Sequence, residues 1–385
     1  MYKKLKLDNG LRIIAAPMPK MQSAAIGIWI KVGGRYENAA NKGTSHFLEH
    51  LLFKGSRNYT CRKLKEAIEG VGGALNGFTS EELTCYLVKT PAKHIESALD
   101  VLSDMVINPT LPAHEIEKEK TVIIEEIKMY RDQPQSHVYE LLDELLWPDQ
   151  PLGTPIIGTE ESVNAITRES LVAFKERHYN VFDIVVSVAG VFDYGRLSKR
   201  INRIFSPLKA REPIDFERVR ESQSKPQLKL MHKDTEQTHL ALGFHALKRD
   251  DPLRHALGLL HVVLGGNMSS RLFNELREDR GLAYEIGTGV KRFYDTGAFL
   301  VNAGIDNNNV TEAIRLIINE LEQAKIGLVS DDEFKRAKEF YRGQMTLALE
   351  DTMDTMLWVG ETTAALDKTY TLEELIKEIN KVRKE

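Results

Sequence analysis

Three side chains within five residues constrain this chain more than any other feature. In His46-Phe47-Leu48-Glu49-His50, both histidines and the glutamate can serve one metal ion only if the stretch is a helix. Residues four apart on a helix stand nearly one above the other, and residues three apart are close neighbours. His46 and His50 then offer two imidazole nitrogens to one point, with Glu49 beside them. The spacing is that of the H-E-x-x-H zinc helix read in the opposite chain direction. Gly43-Thr44-Ser45 supplies cap candidates ahead of it, and Gly55 a stop after Phe53-Lys54. The chain has 11 histidines, so two ordinary histidines on an amphipathic helix are the alternative.

A catalytic zinc takes three protein ligands and a water, so a further ligand must come from elsewhere. The stretch from Pro112 to Arg131 reads as one long helix. At 100° per residue, Ile116, Ile123, Ile127 and Tyr130 form an apolar stripe, with Val122 and Met129 forming a second one nearby. Glu119 and Glu126, seven apart, project between the two stripes, whereas Glu117 and Glu125 fall on the expected solvent side beside Lys118 and Lys128. A carboxylate within an apolar face is costly unless it is paired or binds a metal. A buried salt bridge is the competing reading for both, and Glu126 is the expected third ligand.

With these residues in view, the chain resembles the M16 peptidase family almost end to end, in particular the shorter M16B branch related to the mitochondrial processing peptidases. The stretch from Gly43 to Ser56 resembles the family's metal helix, and Glu119 through Glu126 resembles the helix with the distal ligand. Gly72 to Ser80, followed by Glu82 and Thr84, looks like its substrate-binding edge strand, with Gly77 where Ala is more common. Ser269 to Phe273, Arg277 and Gly281-Leu282-Ala283-Tyr284 resemble the element whose Arg and Tyr hold the substrate. The resemblance implies a zinc endopeptidase for unfolded peptides or precursor segments, with one Zn²⁺ per chain on His46, His50 and Glu126. It implies Glu49 as general base, Glu119 as an assisting catalytic glutamate, and Asn76, Thr79, Glu82, Arg277 and Tyr284 as substrate-binding residues. The alternatives are a non-catalytic structural subunit, which would be expected to lose ligands, and a peptidase active only with a different partner chain. The zinc motif and the Arg277/Tyr284 element share one chain, which favours a homodimer.

The rest of the chain agrees. With 385 residues, 42% of them hydrophobic, it can bury more than one core. A net charge of −4 leaves no electrostatic footprint for nucleic acid. Two cysteines, Cys61 and Cys85, give no disulfide framework. No signal-peptide or transmembrane run occurs, so a cytoplasmic protein is expected, although a leader removed earlier would leave no trace.

The organisation reads as duplicated: an α+β protein of two homologous sandwich domains, each an antiparallel-rich sheet covered by helices. The expected boundaries are 1–206 for the zinc domain, 207–226 for a charged linker, and 227–385 for a second copy without the zinc motif. In that copy His255 and His261 are six apart, lack a neighbouring Glu, and are read as structural. The second half stops before any strand equivalent to Phe182–Gly190, so the chain is either naturally short or truncated.

Overall fold

The computed structural model describes residues 2–327 and 329–384. Strands β1 (Lys3–Lys6), β2 (Arg12–Pro17), β3 (Ser23–Ile30), β4 (Ala74–Thr79), β5 (Thr84–Pro91) and β6 (Ile184–Gly190) form one sheet in the order β1-β2-β6-β3-β5-β4. Only β2 and β6 run parallel; the other neighbours are antiparallel. The central strands β3 and β6 are buried at nearly every step because both faces of the sheet are covered. Ile26, Ile28 and Ile30 of β3 point into one core, while Ala25 and Trp29 point into the other.

The helices of the first half are α1 (Thr44–Leu52), α2 (Cys61–Glu69), α3 (Ile95–Ile107), α4 (Ala113–Asp132), α5 (Pro134–Leu146), α6 (Glu160–Ala165), α7 (Arg168–His178) and α8 (Tyr194–Phe205). All but α5 feed the larger core on one face of the sheet, through residues such as Leu48, Leu64, Leu102, Ile123, Val163, Leu171 and Ile201. In the second half, β7 (Gln237–Ala246), β8 (Ala283–Arg292) and β9 (Gly297–Asp306) make an antiparallel sheet in the order β7-β9-β8. The helices of the second half are α9 (Arg254–Leu264), α10 (Val310–Ile326), α11 (Asp331–Ala348), α12 (Thr352–Leu366) and α13 (Leu372–Lys381).

Each compact unit takes a helix from the opposite half of the chain. Met356, Val359 and Ala364 of α12 close the second face of the six-stranded sheet over Trp29, Cys85 and Val185. Leu142 and Leu146 of α5 cover Ala298 and Leu300 of the three-stranded sheet. The units are therefore discontinuous: one comprises Met1–Ile127, Thr154–Glu217 and Leu347–Thr371, the other Lys128–Gly153, Arg218–Thr346 and Leu372–Glu385. The expected linker changes unit between Glu217 and Arg218. Phe216 packs edge-on against Tyr36 in the first unit, and Arg220 exchanges hydrogen bonds with Gln150 in the second. No helix among the described residues is long and apolar enough to cross a membrane.

The long helix forms as expected, but one of its two expected stripes is not covered. Ile116, Ile123 and Ile127 are buried, whereas Val122 and Met129 are 49% and 46% exposed and Tyr130 is also exposed. A helix packed on one side of a single sheet covers one stripe only, so the second remains at the surface.

Candidate metal centre

The first turn of α1 begins at Gly43, in the left-handed region with φ 85°. A Cβ there would stand 2.7 Å from the Ile157 carbonyl oxygen, so the position requires glycine. One turn on, His46 and His50 lie on the same face with ring centroids 4.6 Å apart. From α4, Glu126 presents one carboxylate oxygen to both rings, 3.6 Å from His50 Nε2 and 3.9 Å from His46 Nε2. Ligands to a tetrahedral zinc, at bonds of about 2.0–2.2 Å, stand roughly 3.4 Å from one another. The two imidazoles and the carboxylate thus fit a zinc ion in number, chemistry and spacing, and their donor atoms lie within 4.8 Å of one another.

The electrostatics suit the same ion. Burial, with His50 adjacent, pushes the His46 pKa down to about 3, so this ring is neutral and ready to donate a lone pair. Its Nδ1 is buried without a hydrogen-bond partner among the described residues. His50 is held differently. Burial lowers its pKa, but the hydrogen bond to Glu119 and the charges of Glu126 and Glu49 outweigh that and raise it. Glu126 is raised by burial, with His50 opposing.

Glu119 is 3% exposed and sits behind His50, not beside the ligand oxygen of Glu126. Its Oε2 lies 3.1 Å from His50 Nδ1, and its Oε1 accepts from Lys54 Nζ at 2.5 Å. Burial raises its pKa, and these two partners more than reverse that, leaving the carboxyl below its ordinary value. With Nδ1 engaged, the Nε2 of His50 is the nitrogen turned to Glu126, an arrangement that fixes ring orientation and tautomer at metal sites. Lys54 has no motif of its own in the sequence beyond the Phe-Lys-Gly that trails the helix, and its role is visible only here.

Glu49 lies on α1 one residue before His50, and its Oε2 accepts a 2.6 Å hydrogen bond from the Thr79 hydroxyl. Burial raises its pKa, the Thr79 hydroxyl opposing. Thr79 ends β4, the edge strand of the six-stranded sheet, so the expected substrate-edge residue reaches the expected base. Asn76 is on the same edge, exposed, its side-chain oxygen accepting from the Gly77 N–H. Glu82 is placed differently from that expectation: its side chain turns inward, is 6% exposed, and pairs with buried Arg35 at 2.7 Å. The buried guanidinium demands a buried counter-charge, and Glu82 supplies it.

Arg277 and Tyr284 belong to the second compact unit. Arg277 lies within a π-helical turn (Phe273–Glu278), and its guanidinium stands 5.1 Å from the Tyr284 ring centre and 4.8 Å from that of Phe273. Tyr284 is 75% exposed. The structure thus brings this Arg and Tyr together, seven residues apart. His255 is buried, its pKa pushed down to about 4 mainly by burial, and His261 hydrogen-bonds Thr288 at 2.7 Å. Neither belongs to a group of metal donors among the described residues.

Comparison with known proteins agrees with this fold. Residues 12–160 match the family model "Insulinase (Peptidase family M16)", and residues 165–341 match "Peptidase M16 inactive domain". The chain is 37% identical over 386 residues to a protein of Bacillus subtilis (strain 168) named an uncharacterized zinc protease, covering all of this chain and 93% of that one. A Streptomyces coelicolor protein of the same description is 35% identical, with 99% and 84% covered. Among solved structures, an M16 inactive-domain protein from Pseudomonas fluorescens aligns with TM-score 0.92 at 18% identity, covering 100% of this chain and 92% of that one. A Helicobacter pylori protease aligns with TM-score 0.88 at 22% identity, over 99% and 96%. The fold and these relatives are those of a two-domain metallopeptidase. The chain belongs to peptidase family M16.

Proposed function

We propose that this protein is a zinc endopeptidase that cuts extended, unfolded peptide segments, using one ion per chain. The observation that carries the reading is the hydrogen bond from Thr79 to Glu49, because it joins the exposed edge of a sheet to the base beside the metal donors. A peptide adding to β4 as a further strand would run directly past that base.

His46, His50 and Glu126 would hold the zinc. Once bound, the ion supplies positive charge that lowers the pKa of a water toward ~7 and polarises the scissile carbonyl. Glu49 takes the proton of the attacking water and returns it to the leaving amine; its burial raises the pKa above the ordinary carboxylate value. Thr79 holds one oxygen of Glu49 so that the carboxylate does not swing away. Glu119, braced by Lys54, acts on the reaction through the His50 ring. Arg277 and Tyr284 bind substrate backbone or the developing oxyanion.

The same proposal takes the active form as a homodimer in the cytoplasm. The metal donors and the Arg/Tyr pair lie in different compact units of one chain, and both cysteines are unpaired. Metal analysis of purified protein, combined with mass-spectrometric reading of a panel of unfolded peptides, tests it. Internal cleavage that stops with a chelator and returns with zinc is expected; cleavage indifferent to chelation would end the proposal.

A further inference from the structure

The glycine required at position 43 leaves α1 without a capping side chain of its own, since Gly43 makes no side-chain hydrogen bond to the first turn. The first N–H groups of a helix must find acceptors elsewhere when buried. Here they find Glu37. Its Oε2 accepts from the Gly43 N–H at 2.7 Å and its Oε1 from the Ser45 N–H at 2.6 Å, one residue before His46. Glu37 is 6% exposed, and burial pushes its pKa up to about 7 against those two hydrogen bonds. Two residues earlier, Arg35 serves a second element. Its N–H donates to the Glu81 carbonyl at 2.8 Å, its guanidinium pairs with Glu82, and the Gly34 N–H donates to the Ser80 carbonyl at 3.2 Å. Ser80 directly follows Thr79. The guanidinium also stacks 3.9 Å over Phe216 and is essentially inaccessible.

We propose that the Arg35–Glu37 segment is a positioning brace for the catalytic centre, with Glu37 fixing the turn that carries His46 and Arg35 fixing the hairpin that carries Thr79. One short, rigid stretch then sets the distance between the metal-ligand helix and the strand end that orients the base. Neither residue touches substrate or metal; both act through others. The inference rests on the zinc-peptidase reading for its catalytic consequence, though the brace itself does not require metal.

The discriminating experiment titrates zinc into metal-free Glu37→Gln protein in competition with a chromophoric chelator, alongside kcat and KM on an unfolded peptide. Amide exchange at Gly43 and Ser45 is followed in parallel. Gln keeps the shape but can accept only one of the two N–H groups, its NH₂ facing the other. The expected result is a folded variant with zinc affinity down about 10–100-fold. Its kcat falls about tenfold or more while KM changes little, because a slightly misplaced centre loses rate before it loses binding. Amide exchange at Gly43 and Ser45 accelerates. Glu37→Asp, too short to span both amides, should lie between wild type and Gln. A variant that melts earlier but binds zinc and turns over like wild type when folded would reduce Glu37 to a helix cap and overturn the proposal. So would failure of both variants to fold, since the role would then be fold-wide. If wild type itself binds no zinc, the peptidase reading fails instead, and the amide exchange alone decides the brace.

Discussion

Glu119 shows why a buried carboxylate has to be read through its partners. Alone within an apolar face it would be protonated; with His50 Nδ1 on one oxygen and Lys54 on the other, it stays ionised. This separates it from Glu126, whose oxygen faces both histidine Nε2 atoms, and the two carboxylates should respond differently to substitution. Glu126→Ala or His50→Ala is expected to abolish zinc retention on dialysis, and full occupancy in either variant would remove that residue from the ligand set. Glu119→Gln should keep a folded protein but weaken zinc about 10–100-fold in a chelator competition. Glu49→Gln removes the base and no donor, so metal stays by elemental analysis while turnover falls roughly 10²–10⁴-fold. A second residue-scale test concerns His178, buried against Phe174 at 4.2 Å, with its pKa pushed down to about 4 mainly by burial. The unfolded chain binds this proton from about pH 6.5 downward and the native one only from about 4, so native stability falls as pH drops through that window. Denaturant titrations of wild type and His178→Phe should differ in slope there by up to a few kcal/mol at the acid end. Parallel profiles would show that His178 is not the titrating group.

At the scale of elements, the site depends on a helix start and a strand edge. Gly43→Ala forces a left-handed φ on a residue with a Cβ and drives that Cβ onto the Ile157 carbonyl. A loss of about 1–3 kcal/mol is expected in chemical denaturation, with zinc retention falling alongside because His46 sits on the next turn. The edge strand makes a separate prediction. If β4 pairs with substrate, each backbone N-methyl group on a bonded position of the peptide should weaken binding by about 0.5–1.5 kcal/mol, or roughly 2–10-fold in KM. N-methylation that leaves KM unchanged at every position tried would mean that the peptide does not add to this edge.

For the whole molecule, the separation of metal donors and Arg277/Tyr284 into two units raises the question of which chain completes which site. If each site of the proposed homodimer is shared, Glu49→Gln protein mixed with Arg277→Ala/Tyr284→Phe protein should regain activity once subunits exchange. Random exchange puts roughly half of the chains in mixed dimers carrying one intact site each. Mixtures that stay inactive while exchange is seen by native mass spectrometry would place the complete site within one chain.

The sequence by itself determined the metal helix, the long helix with its distal glutamate, and the zinc chemistry. Each of these rests on the helical period, which reads from residues three, four and seven apart. It also marked the strands and the duplication, which follow from local apolar runs. Only the tertiary structure decided which partner each polar side chain finds. Glu82 pairs inward with Arg35, Thr79 reaches across 30 positions to Glu49, and Lys54 and His50 share Glu119 from a helix some 65 residues away. It also decided that Val122 and Met129 stay exposed, and that α12 and α5 each close the sheet of the opposite half. The reason is the same in each case. Local periodicity fixes which way a side chain points from its own element, whereas its partner, and whether its face is covered at all, depends on elements that the chain returns to the site from far along its length.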